Sequence, residues 1–270
     1  MKKFFIFLTP VFLFAISCAS SKNKVTQAAS TNSELVTCGP LWAAFYQQKA
    51  SEYKALANQA YNIAHERLDA DLLEKSDKPF AVVTDIDETV LDNSPNTVHQ
   101  ALLNKTYTDS AWLQWTALAA ADSVPGAPNF FKYAASKNVE VFYITNRSVS
   151  EMGNTITNLK KWGFPYADEK HVLLKTTTSS KDARRAEVAA KYNILLFFGD
   201  NLGDFQGMYD HKTNEERDEM VKNEALLFGK KFIVLPNPMY GEWQNASIKY
   251  NYKQASSEKS KEMIDGLKNY

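Results

Sequence analysis

Neither sign of charge prevails in this chain. Its 31 basic and 31 acidic side chains cancel over 270 residues, which excludes a global field drawing it to nucleic acid or to an anionic membrane surface. Any recognition of an anion must therefore be local. Cysteine is scarce, at two residues, so a disulfide-stapled scaffold is excluded. No apolar run reaches the roughly 20 residues that a membrane-spanning helix needs. There are no internal repeats, and low complexity is confined to one stretch near the N-terminus. What is present is ordinary for a globular protein, 44% hydrophobic and 23% charged, and the length suffices for one sizeable domain.

The longest apolar run, Phe4 to Ile16 with Thr9 and Pro10 inside it, follows Met1-Lys2-Lys3. A basic start and a short apolar core have the build of a secretory signal. The run ends in Ala15-Ile16-Ser17-Cys18, which resembles a bacterial lipobox with Ala15 where leucine is more usual. That resemblance implies a signal peptide over residues 1–17 and a lipid on Cys18; an ordinary signal peptide with a chance cysteine is the alternative. Residues 18–37 open small and polar and suit a flexible tether, which leaves 38–270 for the folded domain. Cys38 then has no partner and reads as a small buried or incidental residue, not a ligand.

From Leu41 to about Leu73 apolar residues recur every three to four positions, a helical period predicting one or two N-terminal helices. His65 lies there among polar neighbours and reads as a surface histidine. Downstream, Phe80–Thr84, Val139–Thr145, Val172–Leu174, Ile194–Phe198 and Phe232–Leu235 are near-continuous apolar runs. Runs of that kind fit strands covered on both faces, as in a parallel sheet. Helical patterns around 148–162 and 182–192 alternate with them, so the expected class is α/β, a doubly wound, mainly parallel sheet. The Trp-, Leu- and Ala-rich interval 93–123 is expected to form a small helical cap.

Ligands of open α/β sheets bind outside the carboxyl ends of the strands. The first strand ends in Asp85-Ile86-Asp87-Glu88-Thr89, the second in Thr145-Asn146-Arg147, the third in Lys175-Thr176, and the fourth in Gly199-Asp200-Asn201-Leu202-Gly203-Asp204. Two carboxylates spaced by two on a turn can serve one site, one attacking phosphorus and the other protonating the leaving oxygen. An anion approaching a phosphate meets repulsion of about 4 kcal/mol at about 4 Å and an effective dielectric near 20. A magnesium ion held by Asp85, Asp200 and Asp204, with Lys175 as a fixed charge, would offset it. Thr145 and Asn146 carry groups suited to the phosphoryl oxygens. Singly these signals are weak; their order at successive strand ends gives them weight.

Together the four strand ends resemble the four motifs of the haloacid dehalogenase (HAD) superfamily. Ile86-Asp87-Glu88-Thr89-Val90-Leu91-Asp92-Asn93 and Gly199-Asp200-Asn201-Leu202-Gly203-Asp204-Phe205 are similar to the two signatures of class C acid phosphatases, the lipoprotein-e branch. The similarity runs from about Leu41 to Trp243. One departure is Asn96, where the branch has an aromatic residue shortly after the first signature.

The resemblance implies a HAD-like fold and a magnesium-dependent acid phosphatase acting on small phosphomonoesters, foremost nucleoside 5′-monophosphates. Asp85 would attack phosphorus and form an aspartyl phosphate, and Asp87 would act as acid and then as base. Magnesium would be held by the Asp85, Asp200 and Asp204 carboxylates and the Asp87 main-chain carbonyl. Tyr240, in the Asn237-to-Trp243 loop, would stack on a base. Trp112 and Trp115, spaced by three, would share a face of a cap helix, with core packing as the alternative. A lipoprotein of this branch would sit in the bacterial cell envelope, held by its lipid and sorted to the outer membrane. No nucleic-acid polymer is expected as a partner, and dimerisation is implied by the resemblance alone. Two rival functions remain: a phosphatase for sugar or aryl phosphates, and a silent surface binding protein on the same scaffold.

Overall fold

The apolar runs form strands, and the sheet shows why they are apolar throughout. In the computed structural model, which describes Met1 and residues 34–270, seven strands and ten α-helices follow in chain order. Helices α1 (Glu34–Lys49) and α2 (Ser51–Asp71) precede β1 (Phe80–Thr84) and β2 (Leu91–Asp92). Next come α3 (Ser94–Leu102), α4 (Asp109–Thr116), β3 (Asp122–Ser123), α5 (Ala127–Ser136) and β4 (Glu140–Ser148). They are followed by α6 (Met152–Lys161), β5 (Val172–Lys175), α7 (Asp182–Lys191) and β6 (Asn193–Gly199). The chain ends with α8 (Asn214–Asn223), β7 (Phe232–Val234), α9 (Glu242–Ser247) and α10 (Ser256–Asp265). Beyond Met1, the expected signal segment, like Cys18, lies outside the described residues.

Five strands make one parallel sheet in the order β5-β4-β1-β6-β7. The α/β, doubly wound architecture expected from the alternation is the one observed. Alternate residues of β1 point to opposite faces: Val82 joins a large core with Ala57, Ala64 and Leu68 of α2 and Phe130 and Phe131 of α5. Ala81 and Val83 instead join Phe142, Ile144, Ile194 and Val188 of α7 on the other face. A strand buried on both sides has no position for a charge, hence its unbroken apolar run.

The chain leaves the centre of the sheet in one direction through β4 and β5, then returns to β6 and β7 on the other side. The order reverses at β1, and such a switch point opens a crevice at the carboxyl ends of the strands. The interval 93–123 holds α3 and α4 and is closed by an antiparallel pair of β2 with β3, Leu91 opposite Ser123. Thr108 caps α4 by accepting a hydrogen bond from the Ala111 backbone N–H at 3.2 Å.

Two expectations are corrected at the N-terminus. Helix α1 begins at Glu34, inside the stretch expected as tether, because α10 packs beside it: the Val36 N–H donates to Ser260 Oγ at 3.3 Å. Cys38 is exposed, not buried. His65 stacks on the Tyr133 ring at 3.6 Å between centroids. Among the described residues no helix is long and apolar enough to cross a membrane.

Candidate active site

Three carboxylates meet where the sheet reverses. Asp85 follows β1, its backbone N–H extending the pairing with β6 by donating to the Phe198 carbonyl at 2.9 Å. Asp200 and Asp204 follow β6, and oxygens of all three acids lie within 4.8 Å of one another. Such an approach requires glycine at 199, where a Cβ would overlap the Asp204 side chain. The Asp204 loop closes on itself: Asp204 Oδ2 accepts from the Asn201 N–H at 2.9 Å.

Lys181 is the cation of this group. Its Nζ contacts Asp85 Oδ1 and donates to Asp204 Oδ1 at 2.7 Å, with the side chain 6% exposed. Lys175, expected in that role, does not reach it. It ends β5, an edge strand two places from β1, and strands spaced by about 4.8 Å put it about 10 Å to the side. The loop after β5 carries the chain back over the sheet and delivers Lys181 just before α7. A lysine placed by a long loop leaves no mark at a strand end, which is why the sequence pattern missed it.

Burial governs the charges. It pushes the Asp85 carboxyl up to about 7, with Lys181 acting to lower it and Asp204 and Asp87 to raise it further. Asp200 is pushed well above the usual range by burial, then by Asp204 and Asp85. Its hydrogen-bond partners are neutral: the Asn201 and Asn237 amides, each at 2.8 Å, and Thr89 Oγ1 at 3.3 Å. For Lys181 burial works against the charge, yet Asp204 and Asp85 outweigh it and hold the amine above its ordinary value. A half-buried carboxylate with neutral partners beside two buried acids fits a hard divalent cation, which prefers oxygen ligands.

Asp87 faces the other way, into a basic clamp. Arg147 approaches it through Nε, at 3.1 and 3.2 Å, and Nη2, at 2.7 Å. The Asn93 amide donates to Asp87 Oδ1 at 2.9 Å. Thr145 is fully buried; its hydroxyl donates to Asp87 Oδ2 at 3.4 Å and accepts from the Arg147 N–H at 3.1 Å. It does not line the cavity, whereas the exposed Asn146 does, its Oδ1 accepting from Arg184 Nη2 at 3.0 Å. Arg147 stands in the strand-end motif but carried no assigned role, because a sequence gives no direction to a side chain.

Glu88 was also without a role. It sits buried at φ 60° in the turn after β1 and receives the Asn93 N–H at 2.7 Å, the Asn93 amide at 3.0 Å and the Tyr240 hydroxyl. Burial, Asp87 and Asp92 push its carboxyl up to about 8, against the hydrogen bonds from Tyr240 and Asn93.

The carboxylates open onto a cavity of about 880 Å³. Asp85, Asp87, Lys181, Asp200 and Asp204 line its floor, and Tyr240 and Trp112 line its walls. The Trp112 ring lies 5.8 Å from the Arg147 guanidinium carbon. Trp115 is corrected: it packs on the main core, its indole N–H donating to Asn93 Oδ1 at 2.8 Å, and it does not line the cavity. Helical spacing put the two tryptophans on one face, but α4 rolls its second one inward.

Residues 10–243 match the family model described as HAD superfamily, subfamily IIIB (acid phosphatase). A curated relative, the stem 31 kDa glycoprotein of Glycine max, is 25% identical over 200 residues, which cover 72% of this chain and 69% of that protein. Two solved structures of the class C acid phosphatase from Bacillus anthracis, one with tungstate bound, are similar. Each is 42% identical with a TM-score of 0.84, covering 87% of this chain and 99% of its own.

Proposed function

The chain belongs to the acid phosphatases of HAD subfamily IIIB and is a phosphomonoester hydrolase, and on that footing we propose that it is a lipid-anchored nucleoside 5′-monophosphatase working through an aspartyl phosphate. The observation that carries the chemistry is Asp85 held beside Lys181 and within 4.8 Å of Asp200 and Asp204 on the cavity floor.

Asp85 is the nucleophile. Its oxygen bonds to phosphorus as the bond to the leaving oxygen breaks, and Asp87 gives that oxygen its proton. Asp87 then takes a proton from water, whose oxygen attacks phosphorus, frees phosphate and restores Asp85. Lys181 keeps a positive charge at the attacking carboxylate through both steps, and Asn146 presents its amide to the phosphoryl oxygens. Arg147 holds the Asp87 carboxylate in place with a fork of donors. A divalent cation, with magnesium as our choice, would be held by Asp85, Asp200 and Asp204 and would neutralise charge on the transferring group.

Tyr240 and Trp112 support a nucleotide as substrate, since aromatic rings on a cavity wall offer a base a stacking surface. Lipidation of Cys18 and a place in the bacterial outer membrane rest on the sequence of residues 1–18. The test is phosphate release from nucleotides, sugar phosphates and aryl phosphates with and without chelator. Asp85→Asn is expected to lose more than about a hundredfold in kcat, the scale of a group acting on the reacting atoms, and to remain folded. Turnover by Asp85→Asn near the wild-type rate sinks the mechanism; equal kcat/KM across the panel sinks the nucleotide preference. Cys18→Ser is expected to move the protein from membranes to the soluble fraction, and membrane retention argues against the anchor.

A further inference from the structure

Helix α3 turns one stripe toward the cavity. Asn96, Thr97, Gln100 and Ala101 all line it, and positions one helical turn apart lie on the same face. Within that stripe Asn96 and Gln100 are both half-buried, and neither side-chain amide makes a hydrogen bond to another described residue. Each carries two donors and an acceptor. Two adjacent half-buried amides without protein partners on a cavity wall are groups prepared for a ligand.

The helix that carries them is fixed to the reacting centre. Its N-cap, Asn93, donates to Asp87 at 2.9 Å, to Glu88 at 3.0 Å and accepts from Trp115 at 2.8 Å. On the side toward α1, Val98 packs against Ala43, Ala44 and Met239, and Gln48 Nε2 donates to Ser94 Oγ at 3.0 Å. With a rise of about 1.5 Å per residue, Asn96 and Gln100 stand about 4.5 and about 10.5 Å along the axis from Asn93. The amides are thus held at graded distances from the acid that protonates the leaving oxygen, on a cavity that Tyr240 also lines.

Ribose hydroxyls can donate and accept too, but a nucleobase edge holds its neighbouring donor and acceptor coplanar, in the geometry of an amide. A carboxamide matches that pair with both of its functions, as asparagine and glutamine do with the edge of adenine. We propose that Asn96 and Gln100 are specificity-determining residues that hydrogen-bond the base edge of a nucleoside 5′-monophosphate while Tyr240 covers its face. The inference rests on the nucleotidase reading above and adds to it the groups that read the base.

The test compares wild type, Asn96→Ala, Gln100→Ala and the double variant on adenosine 5′-monophosphate and on ribose 5-phosphate, which shares the phosphoryl and sugar but has no base. The double variant is expected to lose more kcat/KM on the nucleotide than on the sugar phosphate, by a further factor of about 5 to 150, the worth of one two-point contact to a base. Equal losses on both substrates, or none on either, overturn the proposal while leaving the nucleotidase reading intact. A wild type that does not prefer the nucleotide to ribose 5-phosphate overturns both. Alanine favours helix, and the volume-keeping pair Asn96→Leu and Gln100→Met must show the same selective loss; a loss confined to the alanine variants is a packing effect and also overturns it.

Discussion

A buried lysine between two acids shows how much depends on one side chain. Lys181 compensates Asp85 and Asp204 from a position closed to water, where an uncompensated carboxylate pair would be costly. In the proposed reaction its amine also remains beside the phosphoryl oxygens, where charge develops. Lys181→Met is therefore expected to lower kcat by about 10²- to 10³-fold, the range for removing one preorganised electrostatic partner, whereas Lys175→Met, out on the sheet edge, changes it little. Steady-state kinetics on the two variants decide the matter, and a larger loss for Lys175→Met would reverse the assignment. Asp85, Asp87, Asp200 and Asp204 were legible from sequence because strand ends in an α/β sheet must converge. Lys181, Arg147 and Glu88 were not, since their contributions depend on which way a turn or loop aims a side chain.

Helix α7 shows the same limit at the scale of an element. Its periodicity predicts a helix over 182–192, and the structure has one at Asp182–Lys191. What the pattern cannot show is that its first turn ties together the carboxyl ends of four strands. Lys181, at its N-cap, touches the β1 and β6 acids. Arg184 donates to the Leu173 carbonyl at 3.2 Å and to Asn146 at 3.0 Å. Arg185 donates to the carbonyls of Gly203 and Asp204, each at 2.8 Å. The five strands of the parallel sheet were likewise legible as elements from their apolar runs alone, because burial on both faces leaves no alternation to misread. The C-terminal helices were not, since α9 and α10 are short and largely polar outside, and α10 in turn extends α1 back to Glu34.

For the whole molecule, the buried acids around the cavity floor tax the metal-free protein. Asp85 is raised from 3.8 to about 7 and Glu88 from 4.5 to about 8, with Asp200 also raised. The folded state thus keeps protons that the unfolded chain has released above pH of about 4. Stability from these groups is full at acid pH and is lost as pH rises through about 7 to about 8. Lys181, raised above 10.5, keeps its contribution through that window and loses it only in strong alkali. In chelator, Tm is expected to fall from pH 5 to pH 8, and the slope to flatten in Glu88→Gln. If Asp85, Asp200 and Asp204 hold magnesium as proposed, millimolar magnesium should restore most of the loss at pH 8, since a cation that binds the folded state competes with protons for the same oxygens. Thermal unfolding by circular dichroism reads both effects, and a Tm that rises toward pH 8 in chelator contradicts the charge balance drawn here.

The first described turn of α1 is part of the cavity wall: Val36, Thr37 and Pro40 line the same space as Asp85. The continuous described chain thus begins, at Glu34, on a helix that borders the cavity. If Cys18 holds a lipid, the leash and the entrance share an address, and the span between them sets how far the entrance stands from the bilayer.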